Sequence, residues 1–93
     1  MFYNNYNVLY TTQDLKGATA LHFAVIGLQF KNVQALLKLG ANPNVQDIEG
    51  NSPLHLCVMS LADIQPSNFD KLKSIGKELL FSGASRTLKN NEG

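Results

Sequence analysis

This chain repeats itself, and the repeat restricts its fold more than any other feature. The stretch from Asp14 to Val25 (DLKGATALHFAV) returns from Asp47 to Val58 (DIEGNSPLHLCV) at an offset of 33 (47 − 14). The Asp, Gly, hydroxyl and Leu-His positions are all in step. Further on, Leu36-Leu37 with Gly40-Ala41-Asn42 returns as Leu79-Leu80 with Gly83-Ala84-Ser85, at an offset of 43 (79 − 36). The second unit therefore carries ten more residues than the first. Asn90 to Gly93 repeats Asp47 to Gly50 and opens a third. A unit this short cannot bury its own apolar face, so copies must stack and share one core. The expected division is a flank at 1–13, one repeat at 14–46, a second at 47–89 with an insertion near 61–70, and the start of a third at 90–93.

Within each unit the residues read as finger, helix, helix. Thr19 and Ser52 suit an N-cap, because a hydroxyl can accept from the free N–H groups of a first turn. Pro53 then sits where its missing N–H costs nothing. Leu21, Ala24, Val25 and Leu28 follow the i, i+3, i+4, i+7 spacing of an amphipathic helix. A second helix is expected from about Lys31 to Leu39, with Val33, Leu36 and Leu37 inward, ended by Gly40 as a left-handed C-cap. Residues 42–50 hold turn formers and no helical period, so they read as an extended finger with Asp47 and Gly50 at its tight turn. In the second unit the first helix should run to about Asp63. Ser67-x-x-Asp70 has the form of a capping box, so the long helix should start near Phe69 and reach Ser82. Leu72, Ile75, Leu79 and Leu80 would face inward. The insertion then lies between the two helices, at the end opposite the fingers.

D-x-x-G, then T-P-L-H, then L-L-x-x-G-A at the end of the second helix: in these residues the chain resembles the ankyrin repeat family over 14–93. It departs where Ala20 replaces the usual proline, Ser52 the threonine and Asn90 the aspartate. The resemblance implies an all-α solenoid of stacked helix-turn-helix pairs with β-hairpin-like fingers. It also implies a protein-interaction module, not an enzyme. Relatives hold partners with finger tips and the exposed side of the first helix. Mapped onto this chain, those positions are Leu15, Lys16, Ala18 and Ile26 in the first unit. In the second they are Ile48, Glu49, Asn51, Met59 and Ser60, and in the third Lys89 and Asn91. Leu15 and Ile48 are apolar where a turn needs only polar residues, which suits a peptide or a protein helix, although scattered surface hydrophobes would look the same.

Other chemistry finds little support in these residues. Eight Lys and Arg against seven Asp and Glu give a net charge of +1, too little for the field of a general nucleic-acid or anionic-membrane binder. Lys71, Lys73 and Lys77 read as the wet face of a helix. His22 and His55 both occupy the T-P-L-H position, where the resemblance implies a structural role tying finger to finger, so no metal or cofactor is expected. The single cysteine, Cys57, aligns with Ala24 and reads as a small buried hydrophobe. A Cys57–His55 nucleophile pair is disfavoured, since residues two apart on a helix face apart.

Neither a leader nor a membrane span is expected, which makes cytoplasmic the default location. The longer second unit followed by Gly83-Ala84-Ser85-Arg86 is also similar to the ankyrin section of zinc-finger palmitoyltransferases, an alternative in which the chain recruits substrate for a larger enzyme. Phe81, with Leu56 or Val58, would leave an apolar outer face open to further repeats or to self-association.

Overall fold

The computed structural model describes residues 13, 14 and 17–91. Among them four helices and a 3-10 turn follow in order: α1 Ala20–Ile26, α2 Phe30–Lys38, α3 Pro53–Ser60, the 3-10 turn Pro66–Asn68, and α4 Phe69–Phe81. Each unit folds its two helices together, α1 on α2 and α3 on α4. The pairs then stack like on like, α1 beside α3 and α2 beside α4. No strand occurs among the described residues, and the fingers are built from turns.

Stacking gives a single core. Leu21, Ala24 and Val25 meet Val33, Cys57, Leu72, Ile75 and Leu79, while Leu28, Leu36 and Leu37 pack half-buried at its edge. Leu80, expected inward, is only half-buried. Gly76 lies where α4 crosses α3, and an added Cβ there would only reach ordinary contact with the Cys57 sulfur, at 3.4 Å.

Both second helices end alike. At α2, Gly40 N–H donates to Leu37 O and Ala41 N–H to Leu36 O; at α4, Gly83 and Ala84 repeat this with Leu80 and Leu79. That pattern is the Schellman motif, and the glycine takes the left-handed residue it requires. The alanine after it turns back under the helix and is buried. The end of α1 has the same hydrogen bonds, Leu28 N–H to Val25 O and Gln29 N–H to Ala24 O. There, however, the left-handed residue is Leu28, at φ 56.

Two expectations about the insertion are corrected. The α-helical part of α3 stops at Ser60, short of Asp63. Ser60 turns its hydroxyl back onto Leu56 O at 2.8 Å, and Leu61, Ala62 and Asp63 then bond three residues back instead of four. The chain keeps its path but winds more tightly. The Ser67 capping box does not form. Pro66 already starts a 3-10 turn, so Gln65 takes the extended conformation of a cap, and the residue before α4 is Asn68, with no side-chain cap bond.

The finger turn closes on Asp47. Its carboxylate accepts from Glu49 and Asn51 N–H, and its carbonyl accepts from Gly50 N–H. Gly50 has φ 80, and a Cβ there would sit 2.8 Å from Asn91 N and 3.0 Å from Asn90 Cα of the next finger. Gly17 stands in the same relation to Asp47 and Ile48. Fingers thus stack backbone against backbone.

A pair of substitutions separates conformation from contact. Gly83, at φ 98, has open space where a Cβ would go, so Gly83→Ala should cost only the left-handed backbone, about 1–2 kcal/mol. Gly50→Ala adds a backbone clash and should cost roughly 1 kcal/mol more in urea melts. Equal losses would show that the fingers are not in close contact.

Candidate functional site

Four polar residues, Thr19, His22, Asn51 and Ser52, are buried in the described part of the chain. Every buried side-chain nitrogen and oxygen there has a partner. Thr19 N–H donates to His22 Nδ1 at 3.0 Å, so Nδ1 carries no proton and the ring is the Nε2–H tautomer. Nε2 then donates to Asn51 O at 2.8 Å, in the next unit. Asn51 O accepts from Asp47 N–H as well, and Asn51 Oδ1 accepts from Asn90 Nδ2 of the third finger. One buried asparagine therefore connects three successive units.

Outside this bolt, glutamine side chains run between the fingers. Gln13 Nε2 donates to Gly17 O and to Gln46 O; one repeat on, Gln46 Nε2 donates to Gly50 O and to Lys89 O. Asn44 likewise ties the first unit to the second, donating to Gly83 O and accepting from Ser85 N–H. The periodicity of glutamine, 33 residues apart, is visible in the sequence. Its role is not, because a polar finger residue gives no hint of which carbonyl it will meet.

His55 repeats the local half of the arrangement. Ser52 N–H donates to its Nδ1 at 3.0 Å, and Ser52 Oγ accepts from His55 N–H, which caps α3. Among the described residues no finger carbonyl meets its Nε2. Cys57 turns away from it, its sulfur 3.5 Å from Leu72 O, and burial pushes the thiol above its ordinary pKa. The two residues form no nucleophile pair. No group of three His, Cys, Asp or Glu side chains among the described residues could hold a metal ion, and no helix is long and apolar enough to cross a membrane.

With the fingers locked, the surface residues fall into place. Ile48 is 66% exposed at its turn, with Glu49 beside it. Asn91 reaches back to the same turn, its Nδ2 donating to Ile48 O and its N–H to Glu49 O. Lys89 is exposed and Ala18 half-buried. Ile26 and Met59 are 57% and 55% exposed on the first helices, and Ser60 is half-buried. Asn51 departs from its expected place at the surface. At 4% exposure it is a strut between units, because its carbonyl and its side chain are both consumed by neighbours. Leu15 and Lys16 lie outside the described residues. The three α4 lysines are all exposed.

Met59 is the junction of this surface. It lines one hollow with Glu49 and Asn91, and also a cleft of about 560 Å³ with Ile26, Leu28, Leu56 and Ile64. Leu56 thus faces the cleft, while Val58 takes the outer face. The cleft runs between the ends of α1 and α3 and the inserted segment. Sequence reasoning placed Ile26 and Met59 on one side but did not foresee the wall that the insertion supplies.

Stacked helix pairs joined by histidine-bolted fingers define a repeat solenoid of helix-turn-helix units. The chain belongs to the ankyrin repeat family: a family model described as "Ankyrin repeats (many copies)" matches residues 4–57. The ankyrin repeat domain of Bcl-3, described as a member of the IkappaB protein family, has a similar solved structure, with a TM-score of 0.75 at 32% identity. That match covers 89% of this chain and 32% of the Bcl-3 chain. NF-kappa-B inhibitor alpha of Sus scrofa is 38% identical over 71 residues, which cover 70% of this chain and 23% of that protein. Rabankyrin-5 of Mus musculus is 46% identical over 46 residues, 50% of this chain and 4% of its own length. The chain therefore spans under a third of each of these relatives.

The two histidines should differ on substitution. His22→Ala strips partners from a buried carbonyl and a buried N–H, and should cost roughly 2–4 kcal/mol. His55→Ala loses only local bonds and should cost about 1 kcal/mol. Urea denaturation compares them directly, and chelator should change neither melt. Equal costs would mean that the bond to Asn51 adds no stability.

Proposed function

We propose that the chain holds a protein or peptide partner on the surface formed by its finger tips and the exposed side of its first helices. The residues concerned are Ala18, Ile26, Ile48, Glu49, Met59, Ser60, Lys89 and Asn91, together with Leu15 and Lys16. Ankyrin repeats are a protein-interaction module type. The observation that carries the reading to these residues is the exposure of three large apolar side chains: Ile26 and Met59 along one cleft, and Ile48 at the finger turn whose Glu49 shares a hollow with Met59. An apolar core inside a polar rim is the usual anatomy of an interface, and methionine is enriched at such cores. The work expected of the chain is recruitment, in the cytoplasm and without a cofactor.

A second contact surface completes the proposal. Val58, Leu61 and Phe69 line a hollow between α3 and α4 that shares Leu54 and Val58 with the next hollow. That one reaches Arg86, which borders a third hollow at Phe81, 88% exposed. This outer face is apolar in the way that repeats use to cover one another, and its occupant is another ankyrin repeat. Alone, the chain should self-associate through it. Sedimentation should show larger species that Val58→Lys with Phe81→Lys converts to monomer, and monomeric wild type would count against the idea.

For the finger surface, Leu15→Asp with Ile48→Asp should leave helicity unchanged and weaken partner binding by more than about 1 kcal/mol in calorimetry. Unchanged affinity would move the binding surface elsewhere.

A further inference from the structure

We propose that the cleft walled by the insertion is a distinct recognition site, taking a protein segment that presents an aliphatic side chain next to a lysine or arginine. It rests on the interaction reading through Ile26, Met59 and Ser60, and on the finger tips only in that the occupant runs on from them. The first argument is geometric. A repeat of ordinary length would lack the ten inserted residues, and with them Asp63, Ile64, Gln65 and Asn68, which make the far wall. The cleft's volume of about 560 Å³ is enough for two or three side chains rather than one.

Its floor is apolar and partly maintained against the backbone's preference. Leu28 occupies the left-handed position that Gly40 and Gly83 fill at the other Schellman ends, at φ 56. A leucine is strained there in a way that glycine is not. Its side chain is half-buried at the base of the cleft, beside Ile26 and Leu56.

The rim is electrostatically one-sided. Among the described residues Asp63 is the only charged side chain lining the cleft, and it is exposed. Both α1 and α3 end there, at Ile26 and Ser60, and neither has a basic residue in its last turn. The terminal carbonyls accept from the turns that follow, so the charge of the rim is that of the Asp63 carboxylate, with no lysine or arginine in either last turn to offset it. Gln65 and Asn68 supply further side-chain oxygens. A cation with several N–H donors meets this rim, and an aliphatic group beside it meets the floor. The occupant is a protein segment rather than a small molecule because Met59 joins the cleft to the hollow at Glu49 and Asn91, so a chain lying along the fingers runs on into it.

The probe is a random dodecapeptide library displayed on phage, selected on the 93-residue chain, with recovered peptides synthesised for fluorescence anisotropy. Recovered sequences should pair Leu, Ile or Met with an adjacent Lys or Arg and bind more weakly as salt rises. Asp63→Lys and Ile26→Asp should each weaken them by about tenfold, and Asp63→Asn by less. Both positions are exposed, and circular dichroism confirms that each variant is folded. Loss in the cleft variants supports the site whether or not Ile48→Asp also weakens binding. Peptides lacking a basic residue, peptides indifferent to Asp63 and Ile26, or no recovered peptides would overturn it. Dependence on Ile48 alone would overturn the cleft while leaving the finger surface standing.

Discussion

The imidazole of His22 is the joint on which the rest of the molecule hangs. It is fully buried, accepts from the N-cap backbone of its own helix, and donates to the backbone of the next finger. A ring that must accept on one side and donate on the other is confined to one tautomer and one orientation. It therefore fixes the distance and angle between units, which hydrophobic contact between helices would leave loose. Asn51 extends the constraint to a third finger, and Gln13, Gln46 and Asn44 repeat it nearer the surface. Because buried polar groups left unpaired are expensive, the fingers have few alternative packings. That rigidity lets finger tips hold apolar side chains such as Ile48 in water.

Against this regular frame the second unit is asymmetric. The first unit reverses sharply, with Leu28 forced into a left-handed conformation; the second spreads its reversal over a tightened turn, a loop and a 3-10 turn. The core hardly notices, since Leu72, Ile75 and Leu79 sit as the periodicity of α4 requires. The consequence is at the surface, where Asp63 and Ile64 close one end of a trough that is otherwise open.

Much of this was legible before any coordinates. The repeat offset placed the helix pairs, the hydroxyls of Thr19 and Ser52 marked the caps, and Gly40 and Gly83 marked the ends of α2 and α4. These are local signals whose energetics involve residues within one turn of each other. The misses share a different character. Mapping the family's finger-tip positions puts Asn51 on the contact surface, and only the neighbouring unit buries it. Ser67 looked like a cap because its spacing to Asp70 was right, but the fixed φ of Pro66 had already committed the backbone to helical winding. The extent of α3 was misjudged for a similar reason, as Ser60 competes for a carbonyl that the helix would otherwise use.

Family, helix order, the central core positions and the neutrality that disfavours a nucleic-acid binder were determined by the sequence alone, while Leu80 fell short of the core. They depend on period, composition and short-range chemistry, all of which a linear string records. Tertiary structure alone decided which polar residues are struts and which are contacts. It also decided that Met59 connects the finger tips to the cleft, and that Asp63, the one charge among the described residues lining it, stands beside two helix ends. Those outcomes depend on distances between residues far apart in sequence, and stacking sets those distances.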